Sequence, residues 1–198
     1  MSKTHVTVAQ YAECVIKGAC AEPGNDDFFC NWGEADRQLH PVNCVDWNQA
    51  KQYAKFKGAR LPSESEWEYA ATSGGRDQKY PLGNEEPTCG KAVMYGGGYG
   101  CAINNTMPVC SKPAGNTAQG LCDMAGNVFQ WVQDTYRNSY KGAPVDGSAF
   151  KGAGSGRVMR GCSFIHLDAR YLRAVGRENG HIGLRVGFVG FRLARSSR

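Results

Sequence analysis

Residues 120–134, "GLCDMAGNVFQWVQD", mark the point where the sequence changes from one pattern to another. Before this stretch the apolar residues recur at helical spacing in short segments, and after it they tend to alternate with polar residues, as in β-strands. A short strand is predicted in "GNVFQWVQD" at 126–134, "RVMRGCSF" at 157–164, "YLRAVGR" at 171–177 and "VGFRLA" at 189–194. Helices followed by strands, without alternation, predict an α+β fold and not a doubly wound sheet.

Three short helices are predicted in the first 72 residues, each from a residue that caps its first turn. Thr7 precedes a helix that stops at Gly18, and Asp46 precedes one that stops at Gly58. Ser63 begins an S-x-x-E capping box ahead of the third helix. The segment that follows, as far as residue 120, has few periodic patterns, so we expect a long loop region held by disulfides or bound ions.

The nine cysteines indicate disulfides and not a metal site. None stands in a CxxC pair, the spacing typical of zinc ribbons. Because they are spread singly through loop-like sequence, we expect a secreted, periplasmic or cell-surface protein. Buried free thiols throughout the chain are the alternative. The local pairs suggested are Cys14 with Cys20 and Cys30 with Cys44, and the odd count leaves one thiol, for which Cys162 is the candidate.

Length and charge limit the function classes. A chain of 198 residues is expected to form a single domain over residues 1–198, here as the C-terminal part of a longer protein because its first residues already read as structured. No apolar run is long enough to span a bilayer. Residues 151–198 hold ten Lys or Arg against Asp168 and Glu178, a net charge of +8. These cations stand singly among apolar and Gly residues, so nucleic-acid binding is not expected.

Several blocks taken together resemble the formylglycine-generating enzyme (sulfatase-modifying factor) family, which has a variant of the C-type lectin fold. They are "HPVNCVDWNQAKQYAKFKGARLPSESEWEYAATSGG", "YPLGN", "GLCDMAGNVFQWVQD", "RVMRGCSF" and "VGFRLAR", and they follow one another in the family's order. The resemblance runs from about residue 1 to residue 195. It implies the α+β, C-type-lectin-like fold of the formylglycine-generating-enzyme type, with much irregular structure.

The same resemblance implies that the family's oxidative chemistry is absent. Its enzymes oxidise a substrate cysteine with copper and oxygen, and they depend on two cysteines whose positions are taken here by His166 and Tyr171. Copper(I) prefers soft thiolate ligands, and neither residue is a thiol. We therefore expect no catalytic residues and no copper. A divergent copper-dependent oxidase with a site rebuilt from Cys162 and His166 is the alternative.

A calcium site is the second property that the resemblance implies. Family members can bind calcium through an oxygen side chain at the position of Asp123, the backbone carbonyls of Gly126 and Val128, and a carboxylate at the position of Gln130. Calcium takes several oxygen ligands, carbonyls included. Gln130 replaces a Glu, which removes one charge and should weaken the site. The alternative is a turn in which Asp123 only caps backbone N–H groups.

The late part of the chain, residues 160–192, most resembles the variable proteins of diversity-generating retroelements, which share this fold and carry a diversified binding surface. Apolar and small residues stand there between framework residues, at positions that typical relatives fill with Asn, Asp or Ser. All but one fit the codon NNC, which adenine-directed mutagenesis produces from AAC; Glu178 does not. The candidate ligand-binding residues are Ile165, His166, Leu167, Tyr171, Gly176, Glu178, Asn179, Gly180, Leu184, Val186, Gly187 and Phe188.

This pattern predicts a non-catalytic domain that displays a binding surface. A broad apolar patch with aromatic anchors suits a protein or other cell-surface macromolecule better than a small polar substrate. Residues 184–188 are expected to form a loop that leads into a strand from Val189 to Leu193, since a strand over the whole stretch would need cover on both faces. A fixed interaction domain of the same family, without diversification, is the alternative.

Overall fold

The computed structural model describes residues 1–195, in which three α-helices precede one four-stranded sheet. The helices are α1 (Val8–Ile16), α2 (Trp47–Phe56) and α3 (Glu64–Ala71), and the strands are β1 (Phe129–Thr135), β2 (Gly156–Arg160), β3 (Arg177–His181) and β4 (Val189–Phe191). Short 3₁₀ turns cover Ala35–Arg37, Pro113–Gly115 and Ala169–Leu172. This order confirms the α+β expectation. Within the described range no helix is long and apolar enough to cross a bilayer.

All three helices begin with a reciprocal capping box, and the predicted caps are confirmed. In each, the side-chain oxygen of the cap accepts a hydrogen bond from the backbone N–H three residues later. The side chain at that later position accepts one in return from the cap's own N–H, so two otherwise unpaired donors are satisfied. The pairs are Thr7 with Gln10, Asp46 with Gln49 and Ser63 with Glu66.

The sheet has the strand order β3-β2-β1-β4. β1 pairs antiparallel with β2 and parallel with β4, where Phe129 lies opposite Val189. The outer edge of β4 is covered by the start of the chain, because the Val6 backbone N–H donates to the Phe191 carbonyl at 3.0 Å. Pairing of this kind removes an exposed edge on which another chain could add.

Successive residues of β1 contribute to two separate cores, because side chains alternate across a strand. Trp131 lies in the larger core, which includes residues of α1 and α2, and its indole N–H donates to the Val45 carbonyl at 3.0 Å. Val132 points to the other face and packs in a smaller core with Trp67 of α3. All three side chains are fully buried. The helices therefore cover both faces of the sheet.

Four disulfides hold connecting segments that lack the hydrogen-bond pairing of helices and strands. Between α3 and β1 the described structure has no helix or strand other than one 3₁₀ turn, and Cys89–Cys101 and Cys110–Cys122 close loops there with a sequence separation of 12 each. Closing a loop of this length stabilises a fold by about 3 kcal/mol. The expected pairs Cys14–Cys20 and Cys30–Cys44 are confirmed, and Cys162 is the unpaired, buried thiol.

The strand predicted at residues 171–177 is wrong. The chain forms a 3₁₀ turn at Ala169–Leu172, and Asp168 caps it because its carboxylate accepts a hydrogen bond from the backbone N–H two residues later, at 2.8 Å. The apolar alternation that suggested a strand comes from Leu172 and Ala174, which are both fully buried although the backbone turns. β3 begins only at the last residue of the predicted strand.

Candidate functional site

The residues expected to bind a ligand lie on the loop after β2, on β3 and on the loop between β3 and β4. The last of these loops covers residues 182–188 and leads directly into β4, as expected from the sequence. Leu167 and Tyr171 are exposed, at 70% and 49%. The remaining apolar candidates are half-buried: Ile165, Leu184, Val186 and Phe188. The apolar candidates thus comprise two projecting side chains and four half-buried ones.

His166 is at the centre of an aromatic cluster. Its ring centroid lies 5.4 Å from that of Tyr171 and 5.0 Å from that of Phe129, at the start of β1. Phe188 completes the cluster at 6.5 Å. Burial lowers the pKa of His166 below its usual value, so the ring is neutral near pH 7. His166 and Tyr171, which the sequence resemblance aligns with the family's two cysteines, are adjacent in space, and their rings pack against each other.

The nucleophilic side chains beside this cluster are inaccessible. Ser163 shares a hydrogen bond of 2.8 Å with Nδ1 of His166, but the serine is fully buried and cannot meet a substrate. Burial raises the pKa of the neighbouring Cys162 thiol to about 12. Because thiolate is the form that binds metals and attacks electrophiles, Cys162 stays inert at physiological pH.

Two of the three glycines among the candidate residues lie beneath the surface and not on it, unlike the sequence-based expectation, whereas Gly176 is half-buried. Gly180 and Gly187 are buried. A Cβ atom at Gly180 would overlap the ring of Trp131, and one at Gly187 would overlap the side chain of Phe29. At Gly176 a Cβ atom would lie 2.9 Å from a backbone carbonyl oxygen. Close approach of neighbouring groups therefore requires glycine at all three positions.

The two polar candidates on β3 lie on opposite faces of the sheet. Glu178 is in register with Met159, which belongs to the larger core, on the face that also carries Phe129. Asn179 is in register with Val158, which belongs to the smaller core. Only Glu178 is therefore on the same side of the sheet as the aromatic cluster, and Asn179 is separated from it.

The guanidinium of Arg192 contacts two of the expected calcium ligands, Asp123 and Gln130. The side-chain oxygen of Gln130 accepts hydrogen bonds from Nε1 of Trp67 at 2.7 Å and from Nε of Arg192 at 2.6 Å. Arg192 also donates to the Asp123 carbonyl, and the Asp123 carboxylate accepts from the Cys110 backbone N–H at 2.8 Å. The Gln130 side-chain oxygen and one Asp123 carboxylate oxygen thus already accept hydrogen bonds, one of them from a cationic side chain, and a calcium ion bound through these oxygens would have to displace those donors.

A row of aromatic residues beside the candidate surface was not anticipated from the sequence. Phe29 packs edge-on against Phe28, Tyr99 and Phe164, with ring centroids 5.2–6.0 Å apart. Phe28 is 86% exposed and Tyr99 is 40% exposed. The row adjoins the loop of residues 182–188, since the Gly187 backbone N–H donates to an Asp27 carboxylate oxygen at 3.1 Å. It extends the apolar surface beyond the predicted region.

Comparison with known proteins agrees with these observations. A family model described as "Sulfatase-modifying factor enzyme 1-like domain" matches residues 1–197. A formylglycine-generating enzyme of Streptomyces coelicolor is 34% identical over 181 residues, which cover 81% of this chain and 54% of that enzyme. The chain thus spans about half the length of this relative.

Two solved structures are similar over nearly the whole chain. PvdO from Pseudomonas aeruginosa superposes with a TM-score of 0.79 at 31% identity, covering 97% of this chain and 78% of that one. Treponema denticola variable protein 1 superposes with a TM-score of 0.72 at 23% identity, covering 96% of this chain and 81% of that one, and so shares the fold. The chain belongs to the sulfatase-modifying factor enzyme 1-like family, the family that its sequence blocks resemble.

Proposed function

We propose that this domain binds a protein or other macromolecular ligand through the surface around Leu167 and Tyr171 and catalyses no reaction there. The observation that carries the proposal is the contact between the rings of His166 and Tyr171, which fills the place of the family's two cysteines. An aromatic cluster can bind a ligand through its shape and its apolar surface, but it contains no thiolate that could coordinate copper(I).

The relationship to an enzyme favours one alternative, a divergent copper-dependent oxidase that uses Cys162 with His166. The geometry of these residues argues against it. Cys162 is buried with a pKa of about 12, so little thiolate exists at neutral pH. Nδ1 of His166 already shares a hydrogen bond with Ser163. The two groups would have to be exposed and rearranged before they could ligate a metal ion.

The surface has the properties of a rigid binding site. Its exposed anchors include Leu167, Tyr171, Phe28 and Tyr99, and aromatic side chains supply large contact area at low cost in conformational entropy. The loops that carry them are attached to the sheet and to disulfides, one of which joins Cys30 next to this surface. The same four disulfides support a secreted, periplasmic or cell-surface location.

Copper binding and oxygen consumption test the non-catalytic part of the proposal. The chain is incubated with copper(I) and a cysteine-containing peptide, with the Streptomyces coelicolor formylglycine-generating enzyme as positive control. We expect no oxygen uptake above that of a Cys162→Ser variant. Oxygen uptake that depends on Cys162 and His166 would contradict the proposal and favour the oxidase.

Whether the surface is diversified is tested separately, by the sequence of the DNA beside the gene. An asparagine-codon-rich second copy of the DNA for residues 160–192, next to a gene for a reverse transcriptase, is expected if this is a variable protein. A locus without that copy would make the domain a fixed binding module. Both outcomes are compatible with a non-catalytic surface, so this test is independent of the copper experiment.

A further inference from the structure

A concave site lies at the other end of the sheet from the aromatic cluster. It is a cleft of about 460 Å³ between α2 and the last residues of β1, with Trp47 and Thr135 among its walls. Phe129, which contacts His166, and Thr135 are the first and last residues of β1, so about 20 Å of strand separates the two sites. The cleft is therefore distinct from the aromatic cluster around His166.

Five of the residues that line the cleft are Lys or Arg, among apolar and neutral residues, and no carboxylate of the described residues lines it. Lys51 and Lys55 stand one helical turn apart on α2, and Lys151 and Arg157 face them from the loop before β2 and from β2 itself. These four have no ion-pair partner within residues 1–195. Arg60 also lines the cleft, but both of its terminal nitrogens bind Glu66, at 2.6 Å each.

One of these cations is fixed in place. Arg157 donates from one terminal nitrogen to the Thr135 hydroxyl at 3.2 Å and to backbone carbonyls of its own turn. Its guanidinium carbon lies 4.6 Å from the centre of the Trp47 ring, and that ring is held by a 2.7 Å hydrogen bond from its indole N–H to the Val132 carbonyl. The Nε atom of Arg157 is buried without a hydrogen-bond partner. A guanidinium that is fixed on a ring in this way is preorganised to bind an anion.

Like charges around one cleft repel each other unless a ligand neutralises them. A volume of this size accommodates a small organic molecule and not a folded partner. We propose that the cleft binds a small polyanion, a molecule with two or more phosphate, sulfate or carboxylate groups. One group contacts Arg157 on the Trp47 ring, and the others reach the lysines of α2 and the loop. This site gives the domain a second ligand, independent of the first.

Calorimetric titration of the full chain with pyrophosphate at low salt tests the proposal. We expect one site per chain, and an affinity at least about tenfold lower in the double variant Lys51→Ala, Lys151→Ala. The matched control is Lys17→Ala, Lys141→Ala, which removes the same charge from exposed positions outside the cleft. Parallel titrations with citrate and with a disulfated disaccharide identify whether phosphate, carboxylate or sulfate is preferred.

A second readout locates the bound anion. The indole N–H resonance of Trp47 should shift on titration with the preferred anion, while that of Trp67, in the smaller core, should not. Equal weakening in the cleft and control variants, binding of several anions per chain, or absence of binding by all three probes would overturn the proposal. Near-ultraviolet circular dichroism shows that each variant is folded before its affinity is compared.

Discussion

The ring of Tyr171 lies 5.4 Å from the ring of His166, so the two residues that the sequence resemblance aligns with the family's cysteines are neighbours in the structure. His166 belongs to the loop after β2 and Tyr171 to the following 3₁₀ turn, which Asp168 caps. Side chains at these two positions therefore lie next to each other. Substitution of the two residues therefore tests whether these positions can form a pair of metal ligands.

Restoring the two cysteines should restore metal affinity. In the variant His166→Cys, Tyr171→Cys, two thiols replace two adjacent rings, and copper(I) prefers such soft ligands. We expect copper(I) affinity at least about tenfold above that of His166→Ser, Tyr171→Ser, measured by competition with a chromophoric chelator. Equal affinity in the two variants would show that these positions do not form a ligand pair.

The Cys162 thiol should be unreactive in the folded protein. It is buried, and its pKa of about 12 keeps it protonated at pH 8. We expect no labelling by iodoacetamide at pH 8 without denaturant, and one labelled thiol per chain in denaturant when the disulfides are left intact. In the folded chain, thiolate forms only as the pH rises toward 12. Labelling of the folded chain at pH 8 would therefore mean that Cys162 is exposed.

Glycine should be required at two of the expected binding positions. Gly180→Ala and Gly187→Ala each place a methyl group against a packed side chain, and overpacking of this kind lowers the free energy of unfolding by about 1–3 kcal/mol. Gly183→Ala is the matched control, since its nearest neighbour would lie at an ordinary contact distance of 3.6 Å. Urea denaturation measures all three, and equal stability of the three variants would refute the packing assignment.

The projecting residues should tolerate polar substitution. Leu167 is 70% exposed, whereas Leu172, five residues later, is fully buried. We expect Leu167→Asn to change the free energy of unfolding by less than about 0.5 kcal/mol, and Leu172→Asn to lower it by at least about 3 kcal/mol. Thermal denaturation of the two variants provides the comparison. A large loss from Leu167→Asn would place this side chain in the core.

The helices and most strands could be predicted because their signals are local. Thr7, Asp46 and Ser63 cap helices through residues three positions away, so the sequence alone contains both partners of each capping box. The prediction of a strand at 171–177 is wrong because a local pattern can fit two structures. Leu172 and Ala174 are both buried and stand two residues apart, and this spacing looks the same in the sequence whether the backbone forms a strand or a capped turn.

The aromatic row and the cationic cleft could not be predicted because their residues are distant in sequence. Phe29 meets Tyr99 and Phe164 only through loops whose paths depend on the disulfides Cys30–Cys44 and Cys89–Cys101. Lys51 and Arg157 meet only because α2 packs across the sheet. The sequence shows only aromatic residues near cysteines at these places. Such residues are common in loops of no special function, so they do not predict the aromatic row.

Sequencing the DNA for residues 160–192 in many individual cells of the source population tests the central claim most directly. The account predicts that substitutions concentrate at the surface positions 165–167, 171, 184, 186 and 188, while Gly180, Gly187 and the buried Arg192 stay constant. A segment that is identical in every cell, or substitutions spread equally over buried and exposed positions, would contradict a displayed, diversified binding surface.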